Sequence, residues 1–136
     1  MASAQTIRLR WLHGAVAHVT HDLTGLRFSR SAPHVWRPAI NAYRCEKCIR
    51  ICVDLAGVDR SLIDLTIADR RLSIRGVREV PEPSGEEKES MQMIAMEIDY
   101  GPFDREVRLP DEVDVKKVHA EQKNGLLWIH LPLKKS

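Results

Sequence analysis

An all-β sandwich is the fold class this sequence predicts, and three observations carry it. Ile49, Ile51, Val53 and Leu55 alternate with Cys48, Arg50, Cys52 and Asp54, and a period of two is the mark of a half-buried strand. Further short runs of the same kind follow at the spacing of a sandwich. Between two of them stands Asn124-Gly125, the strongest short hairpin signal.

The totals agree with one compact domain. The chain has 136 residues, 43% hydrophobic and 29% charged, which is one domain's length and enough apolar material for a core without staples. The net charge of +2 does not favour nucleic acid as a partner. No run of about 18 apolar residues is present, so no membrane-spanning helix is expected. The N-terminal stretch is interrupted by His13 and His18 and lacks a clear cleavage site, unlike a secretory signal. The 3 cysteines are odd in number and sit close together, which does not suit a disulfide framework. A cytoplasmic location is expected on these grounds.

Residues 1–37 read as an arm, apolar and basic, partly helical or disordered. Leu9, Leu12, Val16, Val19 and Leu23 recur at steps of three and four, which is helical spacing, although Gly14 and the β-branched residues weaken it. Pro33 and Pro38 stop a continued helix. Residues 38–132 are then the sandwich domain. "CIRICVDL" is its first long strand, closed by the turn "AGVD"; "IDLTIA" at 63–68 is the next, and "RLSIRGV" at 71–77 follows through a tight turn at Asp69-Arg70. Residues 78–93, acidic and holding Pro81, Pro83 and Gly85, form a long loop, and loops of that length usually have a use. "FDREVRLP" at 103–110 is a strand. "PDEVDVKKVH" holds a helical turn at most, and "KVHAEQ" and "LLWIHLP" flank the Asn124-Gly125 turn. In the last of these Leu127, Ile129 and Leu131 face inward, Trp128 and His130 outward. Residues 133–136 are a very short tail.

Two stretches carry a resemblance. "VDLAGVDRSLIDLTIADRRLSIRGVRE" resembles the first half of an α-crystallin domain, with its aliphatic-Asp-Leu-Pro-Gly-Val turn and two strands ending in Gly-x-Arg. "YGPFDREVRLPDEVDVKKVHAEQKNGLLWIHLP" resembles the second half, with its Tyr-Gly-x-Phe-x-Arg strand, Leu-Pro and Asn-Gly-Val-Leu turn. The likeness to small heat-shock proteins covers roughly residues 37–132; Ala56 stands at the usual Pro and Leu126 at the usual Val. It implies an immunoglobulin-like antiparallel β-sandwich, an ATP-independent holdase that keeps unfolding proteins from aggregating, and homodimers that build oligomers. It implies no enzyme activity and no cofactor. The family's Ile-x-Ile/Val tail has no counterpart except Leu131-x-Leu133, so assembly through such a tail is not expected.

The same resemblance assigns surfaces. Leu65, Ile67, Val118 and Ala120 would line a groove between the strands at 63–68 and 118–122, left open to clients or to the arm; plain alternation makes them core. Independently of the resemblance, the arm's apolar residues Trp11, Leu12, Val16, Val19, Leu23 and Phe28 form a second surface, for clients, for another arm or for docking on its own domain. "MQMIAMEI" at 91–98, with Met93, Ile94 and Met96, would cross to a partner and pair with its edge at Ala42, Tyr43 and Arg44. Strand addition of this kind uses backbone hydrogen bonds and hides an edge. Arg105 would brace that interface.

Sharper chemistry is weighed against these. Cys48 and Cys52 on one strand lie roughly 13 Å apart at about 3.3 Å per residue, too far for one zinc, whose sulfur ligands sit at about 2.3 Å. Cys45 and Cys48 would face each other if Glu46-Lys47 is a turn, within reach of a disulfide. A thiol-redox protein is therefore one alternative, and a co-chaperone-like interaction module another. The arm histidines His13, His18, His21 and His34 read as solvated positions rather than metal ligands.

Overall fold

The computed structural model describes residues 7–11, 16–21, 35–83, 85 and 90–134, with the backbone alone for the first two stretches. Among the described residues there are nine strands, all paired antiparallel: β1 (Ile7–Trp11), β2 (Val16–His21), β3 (Ile40–Arg44), β4 (Cys48–Asp54), β5 (Ile63–Ala68), β6 (Arg71–Arg78), β7 (Gly101–Arg108), β8 (His119–Lys123) and β9 (Leu126–Pro132). One sheet is β3-β4-β9-β8 and the other β5-β6-β7. The β1–β2 hairpin lies between β8 and β5, so that hydrogen bonding runs through the order β3-β4-β9-β8-β2-β1-β5-β6-β7.

Each strand buries the residues its alternation selects. In β5 Ile63, Leu65 and Ile67 are buried; in β9 it is Leu127, Ile129 and Leu131, with Trp128 exposed. Phe103, Ile51, Val53, Leu72, Ile74 and Leu109 complete the centre of the core. Burying such a side chain contributes about 1.5–3 kcal/mol.

The turns follow from residue chemistry. Asn124 and Gly125 have φ of 54° and 78°, and Asp69 and Arg70 have 51° and 61°. Both are two-residue hairpins with two positive φ values, a conformation whose twist matches that of the flanking strands. The helical turn expected before β8 is a single 3-10 turn, Val115–Lys117, capped by Asp114, whose side chain accepts from the Lys116 amide.

The helix expected through Leu9, Leu12, Val16 and Val19 is corrected. Ile7–Trp11 and Val16–His21 are strands, while Leu12, Leu23 and Phe28 fall outside the described residues. The reason is physical. Ile7, Leu9 and Trp11 also alternate, Val16, Val19 and Thr20 are β-branched, and the edges of β5 and β8 supply backbone partners that a lone helix would not use.

Gly76 marks the tightest approach between elements. A Cβ there would overlap the Leu62 carbonyl oxygen and lie 2.6 Å from Cζ of Phe103. Gly76→Ala should therefore lower stability by about 1–3 kcal/mol through overpacking, read as a fall in the melting temperature. An unchanged melting temperature would show that the Leu62 backbone and the Phe103 ring both give way freely.

Candidate functional site

The groove residues lie where the two sheets open towards the arm. Leu65 and Ile67 of β5, Val118 before β8 and Ala120 within β8 are each 5% exposed or less and belong to the core cluster. The backbone of the hairpin runs over this opening. Ile7 pairs with Ile67 and Arg8 with Thr66 on one side; Val16, Ala17 and His18 pair with Glu121, Ala120 and His119 on the other. These attachments are short beside the β4–β9 ladder, which runs from Cys48–Pro132 to Asp54–Leu126. Leu9 and Trp11 share a face with Ile7, and Ala17 and Val19 share it across the hairpin, so register puts these residues on the face of Ile67 and Ala120; Val16, opposite Glu121, falls on the other face. Trp11, Val16 and Val19 are thus strand residues in this arm.

The opposite end of the first sheet is an open edge. β3 pairs only with β4 among the described residues, and Ala42, Tyr43 and Arg44 on it are exposed. Tyr43 stacks on Trp128 with ring centroids 6.3 Å apart, and Arg44 Nε donates to Asp111 Oδ2 at 2.8 Å. Residues 91–98 belong to no strand, and Met91, Met93, Ile94, Met96 and Ile98 are exposed, Ile94 at 97%. This is a concentrated apolar surface, and such surfaces mark interaction sites. Arg105, opposite Ile74 in register, has its Nε buried with no partner among the described residues.

Arg78 was not legible as a hub. It donates from Nε to the Asp99 carbonyl at 2.7 Å and from Nη1 to the Ala56 carbonyl at 3.0 Å. Its guanidinium also lies 4.2 Å from the centre of the Trp36 ring. Trp36 Nε1 in turn donates to the Gly101 carbonyl at 3.1 Å, and a parallel bridge to Phe103 lays this segment along β7. Arg78 thereby ties the returning end of the long loop to the β4–β5 turn. The Gly-x-Arg motif was the available signal.

At the tip of the β3–β4 hairpin Cys45 and Cys48 are joined as a disulfide with Cα atoms 5.2 Å apart, and Glu46-Lys47 is the turn between them. Cys52 is free and buried; burial, then the charge of Asp54, pushes its thiol pKa up, which makes it a poor nucleophile. Among the described residues no three His, Cys, Asp or Glu side chains converge as metal ligands. A cleft on the outer face of β5–β7, lined by Thr66, Ser73 and four arginines among others, is polar. Arg71 meets Glu106 there at 3.3 Å, and the neighbouring Arg75 meets Asp104 at 3.3 Å. Neither pair builds an apolar capture surface.

A profile of the Hsp20/alpha crystallin family matches residues 42–136. The chain belongs to that family. It is 34% identical over 104 residues to spore protein SP21 of Stigmatella aurantiaca, covering 76% of this chain and 59% of that protein. It is 32% identical over 100 residues to 18 kDa antigen 1 of Mycobacterium avium, covering 71% and 64%. The chain thus spans about three fifths of the length of these relatives. Among solved structures, hspA of Xanthomonas axonopodis superposes with a TM-score of 0.62 at 31% identity, over 74% of this chain and 97% of that one. Heat shock protein 16.0 of Schizosaccharomyces pombe gives 0.64 at 24% identity, over 79% and 73%, a likeness of fold.

Within this Hsp20 domain the thiols give a direct check. Alkylation of the air-oxidised chain after unfolding should label Cys52 alone, and reduction beforehand should bring the label to all 3 cysteines. Labelling of all of them without reductant would remove the Cys45–Cys48 bond.

Proposed function

We propose that the chain is an ATP-independent holdase that binds unfolding proteins in the cytoplasm and works as a homodimer formed by strand exchange. The observation that carries the capture site is the apolar floor of Leu65, Ile67, Val118 and Ala120, roofed by a hairpin held to β5 only at Ile7 and Arg8. A roof attached by so little backbone pairing lifts more readily than a core strand separates. Lifting it opens an apolar surface beside two unpaired strand edges, both of which suit an unfolded chain. Trp11 and Val19, on the groove face of the hairpin by register, travel with the roof and add to the surface it offers, and Val16 travels on its other face. No catalytic group is needed for this work. Among the described residues no helix is long and apolar enough to cross a membrane.

The dimer rests on three features of the other end. Among the described residues the β3 edge has no second partner and the Arg105 Nε is buried without an acceptor, while residues 91–98 are exposed and rich in apolar side chains. An incoming 91–98 segment pairs with Ala42, Tyr43 and Arg44 of the other copy, and the methionines adapt to its surface. Arg105 then takes a carbonyl of the assembled interface. The Cys45–Cys48 bond at the tip of that same edge favours a second property, in which oxidation stiffens the β3–β4 hairpin and so tunes dimer formation.

Three outcomes test these proposals. In a client-aggregation assay without ATP, the full chain and a form lacking the arm should both suppress light scattering at molar excess; failure of both sinks the holdase reading. Deleting residues 88–96 should convert the dimer to a monomer by native mass, and a persisting dimer would place the interface elsewhere. Cys45→Ser with Cys48→Ser should abolish any difference in client protection between oxidant and reductant. A difference that survives in this variant would remove the redox role.

A further inference from the structure

His18, His119 and His130 are distant in sequence and adjacent in register. His18 of β2 is the Cα partner of His119 in β8, and His119 is the partner of His130 in β9. Directly opposed residues on neighbouring strands share a face with Cβ atoms about 4.5–5.5 Å apart. The rings of His119 and His130 have centroids 4.7 Å apart at 30°. The imidazoles are flanked by arginine on both sides, because Arg50 of β4 is the partner of His130 and Arg10 of β1 is the partner of His18. The hairpin supplies His18 and Arg10; the domain supplies the rest.

We propose that this row is an acid-released latch: with its imidazoles neutral the hairpin lies against β8, and their protonation drives the hairpin off the groove. The inference takes its consequence for clients from the capture site proposed above.

The charges around the row have the sign this requires. On β1, Arg8 lies on the same face as Arg10; on β2, Thr20 and Val16 flank His18 without charge, and His21, paired with Ile7, falls on the other face. On β8, Glu121 is the one carboxylate in the adjacent row, opposite Val16 and Trp128, and Lys123 lies beyond it. Lys117 precedes β8; its carbonyl lies 3.3 Å from Nδ1 of His119 and its ammonium 4.0 Å from Asp114 Oδ2. On β9 no other group of this face titrates. On β4, Asp54 stands beyond Cys52 from Arg50, and on β3 Tyr43 is opposite Arg50. On β5, the β1 register carried on by two residues brings Asp64 beside Arg10. Two carboxylates, Glu121 and Asp64, do not balance three imidazolium and two guanidinium groups, so the acid form of the row stays net positive.

Burial, then the charges of His119 and Arg50, holds the His130 pKa below the ordinary histidine value. A histidine whose proton affinity is lowered in the folded arrangement stabilises that arrangement fully above its ordinary pKa, about 6.5. The stabilisation is lost as the pH falls through the depressed value. Docking brings His18 and Arg10 to the same row, so the like-charge penalty of the acid form grows on docking and is relieved by release.

Hydrogen–deuterium exchange on the full chain reads the latch without any client. Between about pH 7.5 and about pH 5.5, after correction for intrinsic exchange, amides in 7–11 and 16–21 should lose roughly tenfold of their protection. Those of β6 should keep theirs, and H18Q should remove the difference. Equal hairpin protection at both pH values, a hairpin unprotected even at the higher one, loss of protection in β6 together with the hairpin, or acid release that persists in H18Q would each overturn the latch. If exchange behaves as expected while the aggregation assay fails, the latch stands and the capture site falls.

Discussion

The backbone pairing between the β1–β2 hairpin and the facing edges of β5 and β8 is the constraint on which the rest depends. Two sheets packed face to face leave strand edges where they part, and an unpaired edge is both a lost set of hydrogen bonds and a site for unwanted association. In this chain Ile7 and Arg8 cover one edge, and Val16, Ala17 and His18 cover the other. The same hairpin roofs Leu65, Ile67, Val118 and Ala120, so the state of one short element decides whether the groove is core or surface.

That arrangement divides the molecule into parts of unequal strength. The β4–β9 and β6–β7 ladders run the length of their strands and enclose side chains with no exposure at all, such as Ile51, Leu72 and Leu127. The hairpin ladder to β5 and the 91–98 segment are lightly held by comparison. Local opening draws on the weakly held elements first. The holdase proposed above needs this combination: a frame that survives stress and a cover that can be removed. The two proposed surfaces lie at opposite ends of the same sheet, with β8 at the groove and β3 at the free edge, so the proposed client capture and subunit pairing would not compete for the same backbone.

Much of the frame was legible from residue order. Ile63, Leu65 and Ile67 declared β5 through alternation, and Asn124-Gly125 declared the β8–β9 turn because few other pairs adopt two positive φ values. The approach of Cys45 and Cys48 was legible only on the condition that Glu46-Lys47 is a turn, and that condition holds in the structure. The arm was misread because Leu9, Val16 and Val19 satisfy a helical period while Ile7, Leu9 and Trp11 satisfy a strand period. What decides between them is the presence of two free edges, a tertiary fact absent from local sequence. The histidine row was invisible for a related reason: His18, His119 and His130 meet only through the register of three strands. Arg78 had its Gly-x-Arg signal, but its partners at Ala56, Asp99 and Trp36 come from three separate segments.

The central claim, that the hairpin closes the groove of its own chain, is tested most directly by cross-linking Ala17 to Ala120, which are Cα partners across β2 and β8. In a background with Cys45, Cys48 and Cys52 replaced by Ser, Ala17→Cys with Ala120→Cys should oxidise to a disulfide within one chain, running as a compact monomer on a denaturing gel without reductant. Free thiols after oxidation, or bonds formed only between chains, would contradict it.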